Sequence, residues 1–154
     1  METAKQKIIE LFRRNVKGRI PDVSGKDVGH DGKFGHWLEE QFGKPVKIVR
    51  TMPNTPAMVG EGMTGACRNE FVTDEELATA VTILSAFGKV EVVGENLMDV
   101  VVSVSGSSPA YVYMFIEAMA DAAVADGMPR PQAYKFAAQA VLGSAKMVLE
   151  TGKH

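Results

Sequence analysis

The last third of the chain sets the hardest constraint. Residues 109–126, PAYVYMFIEAMADAAVAD, and 131–151, PQAYKFAAQAVLGSAKMVLET, read as two long helices. Each opens on a proline, whose missing N–H costs nothing at a helix start, and each is closed by a glycine, Gly127 or Gly152. Their apolar residues are not confined to one stripe, and small residues recur at Ala118, Ala122, Ala125, Ala137, Ala140, Gly143 and Ala145. A helix that is apolar on more than one face must be covered on several sides. The chain offers too few other helices to do this. The expectation is therefore a homodimer, or a higher homo-oligomer, built through these C-terminal helices.

The texture upstream is different. VKIVRT (46–51), MTGACR (63–68) and KVEVVG (89–94) are β-rich runs and read as strands. Between the last two, Thr73 and Glu76 have the T-x-x-E spacing of a capping box, which predicts a helix to Phe87 that stops at Gly88. Strands alternating with a helix are α/β texture. NLMDVVVSV (96–104) is valine-rich, which favours a strand, yet Leu97, Val101 and Val104 share one helical face. The helical reading is preferred.

Residues 1–43 form a third piece. Ile8, Leu11, Phe12 and Val16 make an apolar stripe, so 3–17 is predicted helical, ending at Gly18. A glycine-rich loop and a short helix, HWLEEQF, follow, closed by Gly43. This piece holds eight Lys/Arg against seven Asp/Glu, whereas the remainder is acidic. The chain thus divides into an unrelated helix–loop–helix segment (1–43), an α/β segment (44–95) and a helical segment (96–154).

A net charge of −2 offers no basic excess to displace phosphate counterions, which argues against nucleic acid as a partner. Cys67 is the only cysteine, which rules out an internal disulfide and suits a small buried apolar residue. No apolar run approaches the ~18 residues of a membrane span, and charges interrupt the apolar residues of the N-terminus, so neither a membrane anchor nor a secretory leader is expected. The expected compartment is the cytoplasm.

Three stretches could hold chemistry. In RTMPNTPAMVGEGMTG (50–65), Gly60, Gly62 and Gly65 have the G-x-G-x-x-G spacing. A dinucleotide fingerprint must lie directly between a strand and a helix, and this one does not, so a glycine-rich surface loop is the better reading. The other half, Met52, Pro53, Asn54, Thr55 and Pro56, is more informative. Two prolines three apart fix the backbone around an amide and a hydroxyl, at the C-terminal end of a strand. In open α/β sheets ligands bind there, although a plain structural turn has the same appearance. Finally, Ser105, Gly106, Ser107 and Ser108 precede Pro109 at a helix start. Free N–H groups at such a place suit a carboxylate, and simple capping by Ser107 or Ser108 is the alternative. His30, Asp31, His36, Glu39 and Glu40 fit no standard zinc spacing, so no metal site is expected. No nucleophile–base arrangement is apparent, and the catalytic residues are not identified.

From about residue 44 onward, VRTMPNTPAMVGEGMTG, FGKVEVVGENLMD, SGSSPAYVYMFIEAMADAA and QAYKFAAQAVLGSAKMVLETGKH resemble pyrroline-5-carboxylate reductase. The resemblance implies an α/β remnant, an incomplete Rossmann-type half, followed by an all-α helical dimerisation domain. It implies reduction of a small-molecule substrate, 1-pyrroline-5-carboxylate, to proline with NADPH or NADH. It would place Met52, Pro53, Asn54, Thr55 and Pro56 on the rim of the nicotinamide and substrate pocket. Ser105, Gly106, Ser107 and Ser108 would be candidates for substrate binding, and NLMDVVVSV would be helical.

The same resemblance implies that the family's phosphate-binding G-x-G-x-x-G loop has no counterpart in this chain, residues 1–43 standing in its place. A threonine that completes the family's substrate site would lie beyond TGKH. Alone, the chain would then be inactive, and a non-catalytic dimerisation module is the alternative. Residues 1–43, with HDGKFGHWLEEQFG, are similar to the start of small type II restriction endonucleases, which would make Glu39 an acidic residue near a metal site. The change at Gly43 then reads as a join, in a fused or chimeric reading frame.

Overall fold

The computed structural model describes residues 40–153, which fall into two compact units that meet at Pro109 and Ala110. The helix and loop expected over 3–36, and Glu39, lie outside the described residues. Glu40–Phe42 are helical, and Gly43 turns the chain with φ of 63°.

In the first unit three strands form a sheet in the order β1 (Val49–Met52), β2 (Gly62–Arg68), β3 (Gly88–Val92). β1 runs antiparallel to β2, with Arg50 opposite Cys67 and Met52 opposite Gly65. β3 runs parallel to β2, with Gly62 opposite Gly88 and Ala66 opposite Val92. Parallel neighbours need a crossover, supplied by helix α1 (Asp74–Leu84) and a 3₁₀ turn, Ser85–Phe87. The predicted helix to Phe87 is thus α-helical only to Leu84 and tightens in its last turn, as helix ends commonly do.

The strand expected at 46–51 begins only at Val49. Asn69 is the reason. Its side chain accepts from Ile48 N–H (3.1 Å) and donates to the Val46 carbonyl (2.7 Å), replacing ladder bonds with side-chain ones. The capping box at α1 is formed as expected. Glu76 N–H donates to Thr73 Oγ1 (3.3 Å), and Thr73 N–H donates to Glu76 Oε2 (3.0 Å).

Residues 95–106 are helical, as preferred over a strand, but in three registers: a 3₁₀ turn (Glu95–Leu97), α2 (Met98–Val101) and a π turn (Val102–Gly106). Met98 and Ser103 are buried. β2 is buried along nearly its whole length, through Gly62, Thr64, Gly65, Ala66 and Cys67. A Cβ on Gly65 would sit 2.7 Å from a Val101 methyl, so only glycine lets α2 pack this closely on the strand.

The second unit is a hairpin continuing α3 (Ser108–Ala125) into α4 (Arg130–Thr151). α3 ends in a Schellman motif: Met128 N–H donates to the Ala123 carbonyl (2.9 Å) and Gly127 N–H, at φ of 97°, to that of Val124 (3.0 Å). Its buried core is only Ala120, Ala133 and Ala137, with Ile116, Ala123, Val124 and Met128 packed around it. Large apolar side chains stay outside, Phe136 at 68% exposure and Leu149 at 85% among them. Arg130 ties the helices by a 2.8 Å ion pair to Asp121. Among the described residues no helix is long and apolar enough to cross a membrane.

Three consequences can be measured. Thr73→Ala removes the cap of α1 and should lower unfolding free energy by about 1 kcal/mol in urea titrations. Glu76 is held below its ordinary range, first by the hydrogen bond from Lys47 and then by that from Thr73 N–H. A depressed carboxylate stabilises the fold above its unfolded pKa, about 4.3, and that contribution is lost as pH falls through the folded value. The melting-temperature difference between wild type and Glu76→Gln should therefore stay constant from pH 7 to about pH 5 and shrink in more acidic buffer. A difference that persists unchanged in acid would refute the assignment. Burial, then the Glu95 charge, push the Cys67 thiol up, with Arg50 opposing. Disulfide-exchange reagents should label Cys67 slowly in the native protein and rapidly in denaturant.

Candidate functional site

The glycine spacing at 60, 62 and 65 resolves into packing. Gly60 sits at φ of 77° and closes the 3₁₀ turn Thr55–Val59. Cβ atoms on Gly62 and Gly65 would collide with Ala57 and Val101 respectively. Gly62 and Gly65 lie within β2 rather than ahead of a helix, so these glycines form no phosphate cradle.

Met52, Pro53, Asn54, Thr55 and Pro56 run from the end of β1 into that 3₁₀ turn, with Pro56 in its first residues. Asn54 is extended (φ −123°, ψ 167°) and stands at the N-cap position, yet it makes no capping bond. Its side chain reaches across the unit. Met63 N–H donates to Asn54 Oδ1 at 2.9 Å. That donor fixes which way the amide points, so Nδ2 faces Ser105, donating to its carbonyl (3.3 Å) and to its Oγ (3.2 Å). Beside this contact, a Cβ on Gly106 would lie 2.6 Å from Met52 Cε. Two segments about fifty residues apart in sequence are thus brought into contact twice, at Asn54–Ser105 and at Met52–Gly106.

The serine segment differs from expectation. A helix N-terminus with a capping serine and free N–H groups was predicted at Ser107 or Ser108. The chain instead enters α3 through the π turn, and Ser107 N–H is already bonded to the Val102 carbonyl (2.8 Å). Ser108 is no cap either, because its hydroxyl donates backward to the Val104 carbonyl. The cause is Pro109. Lacking an N–H, it cannot serve the carbonyl four residues earlier, which leaves that of Ser105 short of a helical partner. Asn54 supplies one, while the Ser108 hydroxyl bonds the Val104 carbonyl.

The hydroxyl protons therefore divide. That of Ser108 is committed to Val104. Ser105 Oγ accepts from Asn54 and keeps its own proton to donate. Ser107 is half-buried, with no side-chain bond to the protein. Ser105 and Ser107 are the two that can donate to an anion.

Nearby in the same unit Arg50 and Glu95 pair at 3.6 Å, both largely shielded, beside the buried thiol of Cys67. Sequence reasoning gave no weight to this pair. Nor did it link Asn54 to Ser105, although one signal was present: a proline four residues after Ser105 leaves a carbonyl that some other donor must meet. Among the described residues no three His, Cys, Asp or Glu side chains stand close enough to hold a metal ion. Two apolar hollows lie on the helical hairpin instead, one beside Phe136 and Leu142, the other lined by Phe115, Met119 and Val148.

A family model described as pyrroline-5-carboxylate reductase dimerisation matches residues 95–154. The pyrroline-5-carboxylate reductase of Escherichia coli (strain K12) is 62% identical over 117 residues, which are 76% of this chain and 44% of that protein. The Arabidopsis thaliana enzyme is 44% identical over 117 residues, 76% of this chain and 42% of its own length. The crystal structure of Plasmodium falciparum pyrroline carboxylate reductase with NADP bound superposes with a TM-score of 0.70 at 38% identity, over 75% of this chain and 47% of that one. That of Coxiella burnetii gives 0.72, also at 38% identity, over 78% and 45%. The chain spans less than half the length of the curated relatives it matches. The sheet and its crossover helix are part of a Rossmann-type half, followed in sequence by a helical dimerisation domain. Through this matched segment the chain is similar to pyrroline-5-carboxylate reductases, and its residues 95–154 match their dimerisation domain.

Proposed function

We propose that this chain carries the nicotinamide-facing and substrate-facing part of a reductase that converts 1-pyrroline-5-carboxylate to proline with NADPH or NADH. The observation that supports it most is the 62% identity over 117 residues to the Escherichia coli reductase. On this reading residues 44–95 are the Rossmann-type segment, 96–154 the helical dimerisation segment, and 1–43 a separate piece. A cytoplasmic site of action belongs to the same reading.

The nicotinamide, when bound, supplies hydride to the imine carbon, and a proton on nitrogen completes the reduction to the amine. A protonated imine is already electrophilic, so the protein's task is alignment rather than acid–base chemistry. Met52, Pro53, Asn54, Thr55 and Pro56 form a rim whose backbone is held by two prolines and by the Asn54 bonds. Ser105 and Ser107 donate to the ring carboxylate. Gly106 admits Met52 to within contact, which closes one wall. Ser108 contributes through the backbone turn. The residues present suit the nicotinamide end of the cofactor; the glycines at 60, 62 and 65 do not suit its phosphates.

The exposed faces of α3 and α4 favour a homodimer, since a core of three alanines leaves Phe115, Phe136 and Leu149 in water. A second reading, a dimerisation module without catalysis, is favoured by the family match at 95–154 alone.

Light scattering should give twice the monomer mass, and Phe115→Glu should shift it to monomer; a wild-type monomer would sink the dimer. Titration with NADPH, followed by nicotinamide fluorescence, separates the two readings: no change at millimolar cofactor leaves only the module. Where turnover is measurable, Ser107→Ala should raise KM about tenfold, in line with loss of a hydrogen bond to a charged group, with Ser108→Ala the smaller effect.

A further inference from the structure

The bond from Asn54 to Ser105 has a cause that makes it more than rim packing. Pro109 removes the N–H that a helix would offer to the Ser105 carbonyl. A half-buried carbonyl without a partner is costly, so the turn before α3 needs a donor from outside the helix. Asn54 is that donor, and it is itself fixed by Met63 N–H of β2. The same amide hydrogen-bonds Ser105 Oγ, turning that hydroxyl into an acceptor whose own proton points elsewhere.

We infer that Asn54 is a positioning residue. Through its carboxamide it holds the π turn Val102–Gly106 against β2 and thereby aims the Ser105 and Ser107 hydroxyls at a bound carboxylate. It need not touch the substrate. The inference rests on the proposed carboxylate role of these serines, but the turn itself can be tested without any ligand.

The discriminating substitution is Asn54→Asp. It keeps an acceptor for Met63 N–H and loses the donor to Ser105. Pro109→Ala is its counterpart, because it returns an N–H four residues after Ser105. In ¹⁵N-labelled full chain, amide exchange of Ser107 should quicken at least tenfold in Asn54→Asp, while Met63 and the other β2 amides stay protected. The double substitution with Pro109→Ala should restore protection. Unchanged Ser107 exchange would overturn the inference. So would a loss that spreads through β2, or one that Pro109→Ala does not reverse, since either marks a general structural role.

The same samples titrated with L-proline read the aim of the serines. Shifts at Ser105–Ser108 should need about tenfold more proline in Asn54→Asp and recover in the double variant. Equal affinity in wild type and Asn54→Asp, with the turn loosened, would overturn the positioning role. Absence of shifts in wild type itself would refute the carboxylate role of the serines, and the exchange comparison would then decide whether Asn54 holds the turn.

Discussion

Close approach to β2 is the constraint on which the first unit depends. The strand has neighbours on both edges and is buried along most of its length, so its residues must be small: Gly62, Thr64, Gly65, Ala66 and Cys67. Gly65 admits Val101, which seats α2 and the π turn behind it. Gly62 admits Ala57, which seats the 3₁₀ turn carrying Thr55 and Pro56. The two candidate segments meet because both are packed onto this one strand. A larger side chain at either glycine would push them apart before any bond between them was lost.

Onto that packing the chain adds a small number of directed bonds. Pro109 offers no donor to the Ser105 carbonyl, and the molecule answers with Asn54, while the Ser108 hydroxyl bonds the Val104 carbonyl. The helix start is therefore specified by side chains rather than by its own N–H groups. This changes which atoms remain for chemistry. The backbone amide of Ser107 is used and the Ser105 Oγ accepts from Asn54, so what the segment keeps to donate is the hydroxyl protons of Ser105 and Ser107 rather than the N–H groups of a helix terminus.

The helical unit follows another logic. Alanines at 120, 133 and 137 let its two helices approach closely, but so small a core leaves most of the apolar surface outside. Hydrophobic association scales with the area removed from water, so such a hairpin keeps much apolar surface that its own interior does not bury. The match of residues 95–154 to a dimerisation family model accords with that imbalance.

Much was legible in the sequence because it is local. Alternation of β-rich runs, the T-x-x-E box at Thr73 and the glycines after α3 and α4 depend on neighbours a few residues away; the box and the glycines are where they are expected, and the strands differ from expectation only at their ends. The apolar faces of the last two helices are legible for the same reason. What the sequence by itself determined is therefore the order and kind of the main elements, and their resemblance to pyrroline-5-carboxylate reductase. Only the tertiary structure decided that the glycine triad is packing, that residues 46–48 bond to Asn69 instead of a strand, and that Ser108 is no cap. It alone joined Asn54 to Ser105. These outcomes turn on which donors and acceptors meet across long sequence separations, and hydrogen bonds are directional over about 3 Å, a scale that no spacing of letters along the chain can express.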